Sequence, residues 1–202
     1  MGLHYPIPGA ETRIELRVSN SLFIATAARA DTVADAKAFI QRIRQEHAKA
    51  THNVHAFVVG YGASITEGCH DDGEPGGTAG RPVLAVLRGS GLGDTVIVVT
   101  RYFGGTKLGT GGLVRAYGDA ARAVLEALPR VEKVERHEVQ LAVPYAYYEQ
   151  IKRLVDEHAG KVTAEDFGAD VALRVNLVAE DIPPFARAVA ELTAGAVDVV
   201  AE

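Results

Sequence analysis

Glycine divides this chain. Sixteen of its 21 glycines lie between Gly60 and Gly118, and only three lie beyond residue 133. A glycine inside a helix or strand costs about 0.5–1 kcal/mol relative to alanine. A dense run therefore predicts loops, tight turns and close backbone packing rather than long regular elements. The glycine-poor remainder is free to be regular. The same break appears in charge: residues 1–133 carry 15 Lys+Arg and 13 Asp+Glu, residues 134–202 carry 6 and 13. The first part is thus mildly basic and the second strongly acidic, so an anionic partner would meet the first.

Hydrophobic periodicity places elements on both sides of the break. "TRIELRV" (12–18) and "SLFIATAARA" (21–30) read as strands joined by a turn at 19–20. Asp31 is expected to cap a helix with Val33, Ala36, Phe39, Ile40 and Ile43 on one face. "VHAFVVGYG" (54–62) and "DTVIVVTRYF" (94–103) read as buried strands. Each is followed, directly or after a few residues, by a glycine-rich stretch and a helix: "TAGRPVLAVLRGSG", with Thr78 as its cap, and "LGTGGLVRAYGDAARAVLEAL", closed by Pro129. Beyond residue 133 the pattern is strand, helix, strand, strand, helix, strand. That βαββαβ order is ferredoxin-like, and Gly160 and Gly195 stand just past its helices, where C′ glycines belong. The expected class is α+β, with domains at 1–132 and 133–202.

Two glycine-rich stretches carry the functional question: "HDDGEPGGTAGRP" (70–82) and "TRYFGGTKLGTGGLVRAY" (100–117). The second fits neither the P-loop nor the Rossmann fingerprint: Leu108 follows Lys107, and Val114 stands where the last glycine would be. Still, strand–"GGTKLGTGG"–helix brings bare N–H groups and Lys107 to a helix N-terminus, which favours anions. Asp71, Asp72 and Glu74 have two readings. They either fix a glycine-rich loop by accepting its N–H groups, or contribute to a metal or acid–base site with ligands from elsewhere. The first is preferred, because adjacent residues on extended chain point apart.

His52 and His55 fall on opposite faces of a strand, so a shared metal is not expected. The lone Cys69 has no assignable histidine and orienting partner. No hydrolase or zincin motif is present. No catalytic residue, metal site or cofactor is therefore expected. From Gly76 to Ala123, Arg81, Arg88, Arg101, Lys107, Arg115 and Arg122 face only Asp94 and Asp119, with Tyr102, Phe103 and Tyr117 interleaved. That mixture suits single-stranded nucleic acid, though a solvated helix face salt-bridged to the acidic loop explains it equally well. No apolar run reaches the roughly 18–20 residues that span a bilayer, and no signal-peptide pattern opens the chain. With one cysteine, a cytoplasmic protein without membrane contact is expected.

"ATHNVHAF", "DDGEPGGTAGRPVL" and "VVTRYFGGTKLGTGGLVRAYGDA", in this order and spacing, resemble the YigZ/IMPACT family. The resemblance covers most of residues 10–128, and the C-terminal part is similar in order and length to the small domain of its bacterial members. It implies a ribosomal-protein-like α/β sandwich, with helices on one side of the sheet, followed by a ferredoxin-like domain. Eukaryotic members regulate translation initiation by competing for a ribosome-associated activator of the general-control kinase. The resemblance thus implies translation-linked binding rather than catalysis. The motif residues kept here are His52, Asp71, Asp72, Glu74, Pro75, Thr78, Arg81, Arg101, Tyr102, Lys107, Thr110 and Arg115.

The expected function is a translation-linked regulatory factor. It binds RNA, or a ribosome-associated protein, through glycine loops that meet at one edge of the first domain, with no sequence-specific reading of DNA. The acidic residues are expected to pair with Arg81, Arg101 or Arg115. Two other readings stay open: a metal-assisted enzyme on a phosphorylated or peptide substrate, and a scaffold that binds only proteins.

Overall fold

A computed structural model describes residues 4–201. The elements run β1 (His4–Pro8), β2 (Thr12–Val18), β3 (Ser21–Arg29), α1 (Val33–Glu46), β4 (His52–Tyr61), β5 (Ser64–His70), α2 (Gly80–Gly89), β6 (Thr95–Tyr102) and α3 (Gly109–Ala127). They continue with β7 (Arg130–Val134), β8 (Arg136–Val143), α4 (Tyr148–Glu157), β9 (Lys161–Phe167), β10 (Val171–Val178), α5 (Ile182–Thr193) and β11 (Val200–Ala201). The chain forms two compact units, Tyr5–Lys133 and one built on residues 134–201. Among the described residues, no helix is long and apolar enough to cross a membrane.

The first unit is built on a five-stranded sheet of order β2-β3-β6-β4-β5, with neighbouring strands antiparallel. Its centre is β6, whose run "TVIVVT" is buried throughout because both of its faces are covered. Ile97 and Val99 point with Phe23, Ala25, Ala27, Val54 and Ala56 into a core closed by α2 and α3. Val96 and Val98 point the other way, against Ala36, Ile40 and Ile43 of α1. Each Val, Ile or Phe side chain among them contributes about 1.5–3 kcal/mol on full burial. Helices therefore lie on both sides of the sheet, which corrects the expectation of helices on one side. The cause is the apolar stripe of α1, which needs a sheet face of its own.

Local chemistry explains the remaining departures. Thr32, not Asp31, caps α1: its hydroxyl accepts the Asp35 N–H, and the Asp35 carboxylate accepts the Thr32 N–H. Three strands were not foreseen. β5 is a polar, glycine-containing edge strand (SITEGCH), and β1 and β7 form a separate two-stranded ribbon.

The second unit is a four-stranded antiparallel sheet of order β11-β8-β10-β9, the arrangement that βαββαβ connectivity produces. Val171, Leu173, Val175 and Leu177 of β10 alternate inward onto Ile151 and Val155 of α4 and Phe185 and Val189 of α5. Pro183 and Pro184 start α5, where a missing N–H is harmless. The last strand, Val200–Ala201, is only two residues long, and residue 202 lies outside the described residues.

Candidate functional site

The two glycine-rich stretches meet. Glu74 and Pro75 of the first, and Arg101, Phe103, Lys107, Leu108, Gly109 and Thr110 of the second, line one cavity of about 340 Å³, with Leu113 of α3 behind them. The meeting follows from topology. The loops leave β5 and β6, which flank β4 and both run antiparallel to it, so they exit at the same end of the sheet, and both lead into helices on one face.

The acidic loop is held by its own carboxylates, each with different partners. Asp71 Oδ1 accepts the N–H groups of Ala79 (3.1 Å) and Gly80 (2.7 Å), and Oδ2 accepts that of Gly77 (2.8 Å). Burial alone would raise the Asp71 pKa. The three backbone N–H donors outweigh it and hold the carboxyl below its ordinary value. Asp71 thus caps α2 from eight residues upstream of its N-cap, Ala79. Thr78, the expected cap, instead donates its hydroxyl to the Pro75 carbonyl (2.6 Å) and closes the turn. The start of α2 sits so near β5 that a Cβ on Gly80 would meet the His70 backbone at 2.9 Å, which only glycine avoids.

Asp72 accepts the Asn53 N–H (2.6 Å) and pairs with Arg44 of α1. His52 Nδ1 lies 2.8 Å from the Asp72 carbonyl, which can only accept, so Nδ1 carries the proton. Among the described residues, no group of three His, Cys, Asp or Glu is placed to hold a metal ion. The loop-fixing reading of these carboxylates is therefore the one their geometry favours.

Glu74 is different. Its side chain is 4% exposed and that of Arg101 5%, and the two form a buried pair at 2.7 Å. The Tyr117 hydroxyl donates to the same oxygen, Oε1, also at 2.7 Å. Burial, then this bond to a carboxylate, pushes the Tyr117 hydroxyl pKa up. Arg101 Nη2 reaches Ser21 Oγ (3.3 Å), and the guanidinium lies 5.4 Å from the ring centroids of Phe23 and Phe103. Ser21 Oγ also accepts the Gly104 N–H (3.2 Å). At Gly104 the chain passes so close to Asn20 that a Cβ would lie 1.9 Å from its carbonyl oxygen. The second loop is thus pinned to the β2–β3 turn.

Above this floor the cavity is open. Leu108, the N-cap of α3, makes no side-chain capping bond. Lys107 and Thr110 are exposed beside it, and Phe103 is 46% exposed. Among the described residues, Lys107 has no ion-pair or hydrogen-bond partner.

The expected residues therefore separate. Glu74, Arg101, Lys107 and Thr110 share the cavity, with His52 Nε2 3.7 Å from Glu74 behind it. Asp71, Asp72 and Thr78 shape the loop. Arg81 is exposed on the first turn of α2, and Arg115 is exposed on the second turn of α3. Of the expected arginine partners for the acidic loop, only Arg101 is one, and Asp72 takes Arg44. Tyr102 lies on the opposite face of the sheet, its hydroxyl 3.0 Å from His47 Nδ1. Tyr117, read as an interleaved surface aromatic, is fully buried. Its spacing from Leu113, Ala120, Ala121 and Val124 is the signal that places it inward. Ser21 was missed because a lone serine opening a strand carries no pattern. His55 stacks on His70 (5.6 Å between centroids), with its pKa lowered by burial and by that neighbour.

The Impact N-terminal domain model matches residues 19–125, and a domain of unknown function, DUF1949, matches residues 141–196. The chain is 39% identical over 196 residues to the Escherichia coli IMPACT family member YigZ, covering 96% of each protein. It is 37% identical over 188 residues to YvyE of Bacillus subtilis, covering 92% of this chain and 85% of that one. A crystal structure described as that of a hypothetical protein superposes with a TM-score of 0.75 at 39% identity, covering 98% of this chain and 97% of the other.

Proposed function

The chain belongs to the IMPACT family, and from that premise we propose that it is a translation-linked, cytoplasmic binding factor that takes up RNA at the cavity between its two glycine-rich loops. The observation that carries this reading is the start of α3: a helix N-terminus without a side-chain cap, beside an unpaired Lys107, opening on a preformed cavity. Free N–H groups and a cation at a helix start attract phosphate. Exposed Phe103 supplies an aromatic face beside them. The acidic second unit would be repelled by RNA, so contact is assigned to the first. The carboxylates that a metal-assisted enzyme would require are engaged in holding the loop, which favours binding over catalysis.

The test is titration of single-stranded RNA with the full chain across a salt series, beside a Lys107→Ala, Arg115→Ala double variant. Affinity should fall as salt rises, with a log–log slope of about −0.7 per neutralised phosphate. The double variant should bind about tenfold more weakly with a shallower slope. Absence of binding at low salt would refute the proposal.

A further inference from the structure

We propose that the cavity holds one unstacked nucleotide of the bound RNA. Its base lies on Phe103 and donates an N–H to Glu74, and its phosphate sits at the start of α3. This rests on the RNA-binding reading and specifies what that site selects.

Three observations converge on it. The first is size: about 340 Å³ is at the small end of ligand pockets, roughly 300–1,000 Å³, and suits a single nucleotide rather than a length of strand.

The second is the floor. Glu74 Oε1 receives both Arg101 Nη1 and the Tyr117 hydroxyl, while among the described residues Oε2 receives no donor. Arg101 Nε, on a side chain 5% exposed, likewise has no partner among them. Buried polar groups without partners are expensive. Of these two atoms only Arg101 Nε is itself buried without a partner, whereas Glu74 Oε2 is reached by solvent and open to a donor from a ligand. A base that presents an N–H donor complements the open Glu74 oxygen.

The third is polarity along the cavity. The Glu74–Arg101 pair is neutral as a unit, whereas Lys107 and the α3 N–H groups at the rim are cationic. A phosphate belongs at the rim and a neutral, hydrogen-bonding ring at the floor. Phe103 stands between them, with the Arg101 guanidinium 5.4 Å from its ring centroid and nearly half its surface open. That makes it a platform for stacking.

The chemistry also ranks the bases. Adenine, cytosine and guanine carry an exocyclic amino donor, which a carboxylate oxygen accepts. Uracil holds its N–H between two carbonyl oxygens, which a carboxylate repels.

The experiment is displacement of a labelled oligoadenylate from the full chain by AMP, CMP, UMP and ribose 5-phosphate. AMP and CMP should displace it about tenfold better than UMP or ribose 5-phosphate. Phe103→Ala, an exposed position, should erase most of that advantage while circular dichroism stays unchanged. Glu74→Gln should narrow the ratio of AMP to UMP. Equal displacement by all four competitors, or an unaltered ranking in Phe103→Ala, would overturn the inference while leaving RNA binding intact. Failure of the oligonucleotide itself to bind would remove both.

Discussion

Helices α2 and α3 begin alike and end up unlike. Each follows a glycine-rich loop, each packs on the same face of the sheet, and neither has a capping side chain at its own N-cap. At α2 the deficit is filled from within, since Asp71 reaches forward and takes three backbone N–H groups. At α3 no side chain does so among the described residues, and the neighbouring charge is a cation, Lys107. Two equivalent anion-seeking ends thus have opposite fates. One is spent on holding a loop, and the other faces a cavity. A glycine-rich helix start is accordingly no evidence of a ligand site until its internal acceptors have been traced.

The comparison breaks most violently at the floor that both loops share. Glu74→Ala leaves Arg101 buried and uncompensated, a loss of about 3–5 kcal/mol. Chemical denaturation should show a large drop in midpoint, and a drop no greater than that of a surface substitution would mean that the pair does not join the loops.

Next comes the closed end. Asp71→Ala strips the cap from α2 and should cost about 1–3 kcal/mol, with faster amide exchange confined to residues 77–80. The pH dependence sharpens this. The folded-state pKa of Asp71 is depressed, so its contribution is present above the ordinary carboxylate value of about 3.9 and is lost as pH falls through the lower folded value. Asp71→Asn should therefore lose less stability than wild type between about pH 5 and pH 3.

The smallest effect belongs to the open end. Lys107→Ala should leave stability within about 0.5 kcal/mol while weakening RNA. A stabilising role for Lys107 as large as that of Asp71 would erase the distinction between the two ends.

Much of this was legible in the residues. The apolar run of β6 and the 3–4 spacing of α3 identified both elements, and the alternation in β10 identified the second sheet. The meeting of the loops followed from two strand–loop–helix units in series. What escaped shares a physical cause: contacts made across the fold leave little local pattern. Asp71 caps a helix that starts nine residues later, and Arg44 reaches Asp72 from 28 positions away. The partner of Glu74 could be narrowed to three arginines, but only burial singles out Arg101. β5 stayed hidden because an edge strand needs no apolar face.

The position of β6 also governs the order in which the molecule assembles. β3 and β4 are consecutive strands, yet they never touch in the sheet, because β6 is inserted between them. As the chain leaves the ribosome, the β2–β3 and β4–β5 hairpins exist only as two-stranded pieces, which are marginal alone. The sheet closes when Tyr102 has emerged, all at once and through long-range pairing, a slow and non-local step. Until then the inner edges of both hairpins are unpaired, so the first hundred residues are the stretch most exposed to wrong pairing during synthesis.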